Sequence, residues 1–125
     1  MPFALSAKSR RELSGVHPRL RAVVEAAITD CPVDFIVHDG LRTIEEQREY
    51  VKQGVSKTMK SRHLTGRAVD LVPFINGKPR WEEKPGQAIK RHVLATAARM
   101  DVKMFNGHDR WGWDLWHFEL DKSVR

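Results

Sequence analysis

Between residues 18 and 37 the hydrophobic period of this chain switches from helical to alternating, and that switch limits the folds open to it. Leu20, Val23, Val24, Ala27 and Ile28 recur at helical spacing behind Pro18, which suits a first helical turn because its missing N–H costs nothing there. Val33, Phe35 and Val37 then alternate, as a half-buried strand does. Helix and strand so close together require a mixed fold. The rest of the chain continues the mixture. Ser6 is placed to cap a short helix ending before Gly15, and Thr43-Ile44-Glu45-Glu46 is a capping box opening a helix that runs to about Gln53 and Gly54. Ala68 to Val72 reads as a strand. Ala88 to Met100 reads as a helix with Ile89, His92, Val93, Thr96, Ala97 and Met100 on one face. Val102 to Phe105 and Trp116 to Leu120 read as closing strands. Pro73 to Pro85, with Asn76-Gly77 as a turn signal, reads as a loop or small hairpin. No regular strand-helix-strand rhythm appears, so the expected class is α+β, a small mainly antiparallel sheet flanked by helices.

At 125 residues, without repeats, low-complexity tracts or linkers, the whole of 1–125 is expected to form one catalytic-sized domain with no separate binding module. No run of about 18 apolar residues occurs, so no transmembrane segment is expected. The N-terminal MPFALSAKSRREL lacks the apolar stretch of a secretory signal, which predicts synthesis in a cytoplasm. Cys31 is the only cysteine, which rules out an intrachain disulfide and a four-cysteine zinc site; in TDCPVDF it reads as a small buried hydrophobe. The net charge of +6 suits a polyanionic partner, either nucleic acid or the bacterial envelope. The basic residues are interleaved with acids and form no block, so specific nucleic-acid binding is not expected.

Two segments carry chemistry. In Ser61-Arg62-His63-Leu64-Thr65-Gly66-Arg67-Ala68-Val69-Asp70, a histidine precedes a glycine turn and an aspartate sits in the following strand. Imidazole and carboxylate are both ordinary zinc ligands, and Gly66 allows the sharp turn that would bring them together. A chance pairing of a loop histidine with a turn aspartate fits this segment equally well on its own. In Trp113-Asp114-Leu115-Trp116-His117-Phe118-Glu119-Leu120, a third ligand stands on a strand with acids on both sides. Alternation puts His117 and Glu119 on one face and Phe118 and Leu120 on the other. Two imidazoles and one carboxylate leave a tetrahedral position open, the catalytic type of zinc site. Peptide hydrolysis also needs a proton acceptor, and Asp114 or Glu119 can serve.

These residues resemble the peptidoglycan zinc peptidases of the D-alanyl-D-alanine carboxypeptidase and dipeptidase superfamily, and within it most the phage L-alanyl-D-glutamate endopeptidases used as endolysins. Ser61, His63, Gly66, Ala68 and Asp70 match Ser-x-His-x-x-Gly-x-Ala-x-Asp; Asp114, His117, Phe118 and Glu119 match the second motif; Gly40, Arg42, Thr43 and Gln47 match a third. The resemblance runs from about Val16 to Leu120. It implies a hedgehog- or DD-peptidase-like fold and one Zn2+ per chain held by His63, Asp70 and His117. It further implies Asp114 as general base and Arg42 as stabiliser of the oxyanion and the substrate carbonyl. An ion pair of Arg42 with Glu45 or Glu46 is the structural alternative. Ser61 and Glu119 are assigned to the substrate side, Ser61 with a turn-forming alternative and Glu119 with a supporting place behind the ligands.

The implied activity is hydrolysis of the L-alanyl-D-glutamate bond in cell-wall stem peptides, for host lysis. The alternatives are a D-alanyl-D-alanine carboxypeptidase or dipeptidase, and a non-catalytic zinc-binding envelope module. Bacterial peptidoglycan is the implied partner, with a monomer acting in the periplasm or wall after release. The chain departs from the endolysin pattern at Phe105-Asn106-Gly107-His108-Asp109-Arg110-Trp111, where Trp-Gly-Gly-Asp-Trp is usual. His108 is read as a surface histidine, with metal or substrate contact as alternatives. His17, His38 and His92 are read as structural. Trp111, Trp113 and Trp116 suit stacking on sugar or peptide as well as core packing.

Overall fold

The computed structural model describes residues 2–56, 58–59 and 61–125. Its elements are α1 (Ala7–Glu12), α2 (Pro18–Asp30), β1 (Phe35–Asp39), α3 (Ile44–Lys52), a 3-10 turn (Arg62–Thr65), β2 (Ala68–Ile75), β3 (Lys78–Pro79), α4 (Glu83–Arg99), β4 (Met104–Asn106), α5 (Gly107–Trp111) and β5 (His117–Leu120). The class is α+β. The strands lie in the order β1-β2-β5-β4, all antiparallel, with β3 hairpinned onto β2.

Local chemistry accounts for most boundaries. The Ser6 side chain accepts from the Ser9 N–H at the start of α1. Both halves of the Thr43/Glu46 capping box are present in α3. The 73–85 segment resolves into the end of β2, a turn at Asn76-Gly77 and β3, so the hairpin alternative is the one adopted. Two elements differ from expectation. Helix α4 begins at Glu83 rather than near Ala88, because Pro85 falls within its first turn, where a proline is tolerated. Helix α5, five residues long, was not expected; Asn106 caps it by accepting from the His108 N–H. Met100, placed on the apolar face by periodicity, is the C-cap of α4 and is exposed.

One face of the sheet meets α2 and α4. Phe35 and Val37 of β1, Val69 and Leu71 of β2, and Phe118 and Leu120 of β5 bury there against Leu20, Val24, Ile89 and Val93. Cys31 is part of this core, and burial raises its thiol pKa, which keeps it protonated and inert. His92 ties the helices together: its Nε2 lies 3.0 Å from the Ala27 carbonyl and 2.8 Å from Asp30 Oδ1. His17 caps α2 by accepting from the Arg19 N–H. The edge strand β1 is covered by α1, whose buried Ser9 accepts from the Val37 N–H at 3.0 Å.

The opposite face carries polar residues, and strand register decides which. Asp70 stands opposite His117 across the β2–β5 pair and opposite Asp39 across the β1–β2 pair. The second pairing depends on a bulge, since Val37 pairs with Leu71 but Asp39, not His38, pairs with Asp70. The extra residue turns Asp39 from the core face to the polar face.

Gly40 follows directly and has no room for a side chain. A Cβ there would lie 1.8 Å from the Glu12 carbonyl oxygen. Gly40→Ala must displace the α1–β1 junction, so a loss of about 2 kcal/mol or more is expected, seen as a fall in Tm of roughly 10 °C. Thermal unfolding in the presence of a chelator measures this without a bound metal contributing. A change of only one or two degrees would show that the junction yields.

Candidate metal centre and cleft

The second ligand-bearing segment is placed by β5 and the first by a tight turn. Ser61 caps the 3-10 turn by accepting from the His63 N–H, and Gly66 ends it with φ 69°. Any Cβ at Gly66 would also lie 2.4 Å from the Gly15 carbonyl oxygen, so glycine is required twice over. The turn is bolted to residues 40–42 in both directions: His63 Nδ1 lies 2.9 Å from the Gly40 carbonyl, and the Arg42 N–H donates to the His63 carbonyl at 2.9 Å.

His63, Asp70 and His117 come together, with one donor atom of each lying within 4.8 Å of the others. His63 Nε2 is 3.3 Å, and His117 Nδ1 3.4 Å, from the same oxygen, Asp70 Oδ1. The remaining ring nitrogens are engaged. His63 Nδ1 donates to the Gly40 carbonyl, and His117 Nε2 donates to Glu119 Oε1 at 2.9 Å. Donation there leaves lone pairs on His63 Nε2 and His117 Nδ1, both aimed at a carboxylate oxygen. Three acceptors in so small a volume call for a positive charge between them. The donor set therefore fits a metal ion, with Gly40 and Glu119 fixing the imidazoles from behind.

Proton affinities follow the same electrostatics. Burial would raise the Asp70 carboxyl, but His63 and His117 outweigh it and hold it well below the usual carboxylate range. Burial would lower His117, but hydrogen bonds to Asp70 and Glu119 push it up to about 9, so a proton and a metal ion compete for the same lone pair on Nδ1. Asp114 goes the other way: burial first, then the Asp70 charge, raise its carboxyl pKa. Asp114 adopts φ 69°, which aspartate tolerates better than most residues, and its carbonyl accepts from the His117 N–H at 3.3 Å.

Arg42 is buried beside the cluster and pairs with neither Glu45 nor Glu46. Its Nε and terminal nitrogen donate to Asp39 Oδ2 at 3.0 and 2.5 Å, its other terminal nitrogen donates to Gln47 Oε1 at 2.6 Å, and Tyr50 lies under the guanidinium. It also reaches Ser61 Oγ at 3.5 Å and stands 3.8 Å from Asp70 Oδ2. Gln47 in turn donates to Ser56 Oγ and to the Thr58 carbonyl.

The cluster lies in a cleft of about 860 Å³, whose lining includes Arg42, Ser61, Asp114 and Glu119. Its walls are aromatic. On one side His38 meets Trp81 edge-on and Trp81 meets Trp116. On the other, Trp111 lies 5.3 Å from the His117 ring and next to Trp113. Trp81, Trp111 and Trp113 are about half exposed, so these rings form cleft walls rather than core. His38, read as structural, is exposed on that wall. His108 lies in α5, outside both the cluster and the cleft lining.

Asp39, Arg62 and Trp81 are among the cleft residues that sequence reasoning did not single out, as are Tyr50, Val55, Ser56 and Thr58. Asp39 directly precedes the Gly40-Leu41-Arg42-Thr43 motif, and that adjacency was the available signal. Arg62 lies between two motif residues, and Trp81 lies in a segment read only as a connection.

An α+β chain with two histidines and one aspartate converging at the floor of an open cleft is the architecture of a metallopeptidase. The chain belongs to the family of phage L-alanyl-D-glutamate peptidases, whose pattern it matches over residues 1–122. It is 31% identical over 128 residues to the L-alanyl-D-glutamate peptidase of Escherichia phage T5, covering 99% of this chain and 93% of that one. The crystal structure of the Serratia marcescens L-Ala D-Glu endopeptidase ChiX superposes with a TM-score of 0.87 at 36% identity, over 96% of this chain and 91% of that one. The vancomycin-resistance D,D-dipeptidase VanXYg, in complex with a D-Ala-D-Ala phosphinate analogue, shares the fold. Its TM-score is 0.55 at 18% identity, over 84% of this chain and 50% of that one.

Proposed function

We propose that this chain is a zinc-dependent peptidoglycan endopeptidase that hydrolyses the L-alanyl-D-glutamate bond of stem peptides and serves host cell lysis. The observation that carries the reading is the convergence of His63 Nε2, Asp70 Oδ1 and His117 Nδ1, with the other imidazole nitrogens already engaged, at the floor of an open cleft. His63, Asp70 and His117 hold one zinc ion. Zinc bound there lowers the pKa of water and polarises a carbonyl as a Lewis acid.

The protein's own groups do the rest. Asp114 lines the cleft three residues before His117, and is the proton acceptor for the attacking water. It returns that proton to the amine of D-glutamate as the C–N bond breaks. Arg42 supplies a fixed positive charge beside the cluster. Asp39 and Gln47 hold its guanidinium rigidly, so charge developing on the carbonyl oxygen meets a cation that need not reorganise. Ser61 fixes the turn carrying His63 and touches Arg42, and the aromatic walls hold the peptide and its sugar. The phage endolysin setting accounts for action at the cell wall, and no helix among the described residues is long and apolar enough to cross a membrane.

Mass spectrometry of purified peptidoglycan digested with the zinc-loaded protein tests this reading. New L-alanine carboxyl ends and D-glutamate amino ends on intact glycan strands are expected. Release of free D-alanine would assign the chain to the carboxypeptidase or dipeptidase activity instead, and intact peptidoglycan would leave a binding module.

A further inference from the structure

We propose that Arg62 is a specificity-determining residue that binds the free α-carboxylate of the residue on the leaving-group side of the scissile bond. This deepens the endopeptidase reading and rests on it. In the L-alanyl-D-glutamate bond, the amine is released from a residue whose own carboxylate sits two bonds from the scissile nitrogen. That group lies within about 4 Å of the carbonyl under attack, so it enters the cleft beside the metal cluster whatever the rest of the substrate does.

The cleft floor is hostile to a carboxylate. Asp39, Asp70, Asp114 and Glu119 all line it. Zinc held at the cluster offsets part of this charge, and Arg42, the other cation beside it, is assigned to the scissile carbonyl. Its nitrogens are spent on Asp39, Gln47 and Ser61, and it is buried. Arg62 is different. It lines the same cleft, its side chain is 36% exposed, and its guanidinium makes no hydrogen bond with any described residue. Among the described residues its one ion-pair partner is Glu119, whose Oε2 lies 3.6 Å from Nε, too far for a good hydrogen bond. Glu119 spends its other oxygen on His117. An arginine that lines the cleft with a part-exposed side chain and a buried, unpartnered Nε offers the planar fork that a carboxylate fills with two parallel bonds.

The placement also sets the distance. Arg62 sits next to His63 in the chain and reaches His117 through Glu119, so it stands one side chain away from the cluster. A second group of the substrate can reach it while the scissile carbonyl lies at the cluster. Amidation of the substrate carboxylate would remove the charge and one acceptor, and would leave Arg62 facing a neutral group.

Two muropeptides decide the matter: one whose D-glutamate carries a free α-carboxylate, and one with that carboxyl amidated. For the unaltered protein kcat/KM is expected to be about 10–100-fold higher on the acid, the range for a hydrogen-bonded charge pair. In Arg62→Gln this ratio should collapse towards one, and Arg62→Lys should restore part of it. Calorimetry with the D-glutamate-terminated product peptide should show the same ordering of affinities, a readout independent of turnover. An Arg62 that merely positions Glu119 and His117 would lower both rates together and leave the ratio intact, which overturns the proposal. So would an unaltered protein that treats acid and amide alike. Failure of the unaltered protein to cut either muropeptide at this bond would instead remove the endopeptidase reading, and the inference with it. If Arg62→Gln does not fold, Arg62→Lys and product binding still decide.

Discussion

His63→Ala and His117→Ala are each expected to lose zinc and activity together. Of all single substitutions these should have the largest effect. Removing a partner behind a ligand already costs roughly 10–100-fold in metal affinity, and removing a ligand itself should cost more. The two variants fail through different surroundings. His63 is 2% exposed, so its loss also strands the Gly40 carbonyl and some destabilisation accompanies the loss of metal. His117 is held by Asp70 and Glu119, so its loss leaves two carboxylates facing each other without the imidazole between them. Elemental analysis after dialysis, with circular dichroism as a check on folding, measures the outcome. Near-stoichiometric zinc in the unaltered protein and little in either variant is expected. Full occupancy in both folded variants would move the metal elsewhere. Removing zinc from the unaltered protein with a chelator should abolish cleavage, and adding zinc back should restore it.

Local chemistry was legible in the sequence, and long-range register was not. The capping box at Thr43 and Glu46, the Ser6 cap, Pro18 and the buried stripe of α2 each depend on neighbours within a turn or two of chain, so residue type and spacing determine them. The motif residues His63, Asp70 and His117 were found because their spacing matches a family pattern, and the sheet explains why that spacing works. Asp70 lies opposite His117 in the β2–β5 pairing, so two distant segments meet through backbone geometry. Asp39 escaped notice for the matching reason. Simple alternation puts it on the core side with Phe35 and Val37, and only the bulge turns it towards Arg42. A bulge of this kind has no residue signature here, because it is defined by the partner strand. The Arg42 alternative failed on the same point: Glu45 and Glu46 are close in sequence, but Asp39 is close in space. Helix α5 was missed because five residues are too few to show a period.

The hydrogen bonds around Arg42 tie three parts of the cleft wall to one side chain. Asp39 comes from β1, Gln47 from α3 and Ser61 from the 3-10 turn, so three elements converge on one guanidinium. Any movement of Arg42 would leave a buried carboxylate and a buried amide without their partner, which costs more than the bonds are worth when made. The cation beside the cluster is thus fixed before substrate arrives. In the proposed mechanism, preorganised charge of this kind would lower the barrier without reorganising as the reaction proceeds.

Asp114→Asn and Glu119→Gln, measured side by side at equal zinc content, should separate the proton acceptor from the residue that orients a ligand. Asparagine keeps the volume of Asp114 and tolerates its left-handed backbone at φ 69°, so the fold should survive. It cannot take a proton from water. None of the three proposed ligands is altered, so zinc should remain. General-base catalysis is worth typically about 10²–10⁴-fold, and turnover should fall by about that factor. Glu119→Gln is expected to do less harm to turnover, because the amide oxygen can still accept from His117 Nε2, now at 2.9 Å from Glu119 Oε1. What it loses is charge behind the imidazole, which should weaken zinc binding by up to about 10–100-fold. The two variants therefore differ in kind: Asp114→Asn binds zinc normally and turns over slowly, whereas Glu119→Gln binds zinc weakly and, once saturated, turns over well. A severe loss of turnover in saturated Glu119→Gln, with near-normal turnover in Asp114→Asn, would exchange the two roles. Normal turnover in both would leave the metal cluster in place and remove the acid–base step assigned to these carboxylates.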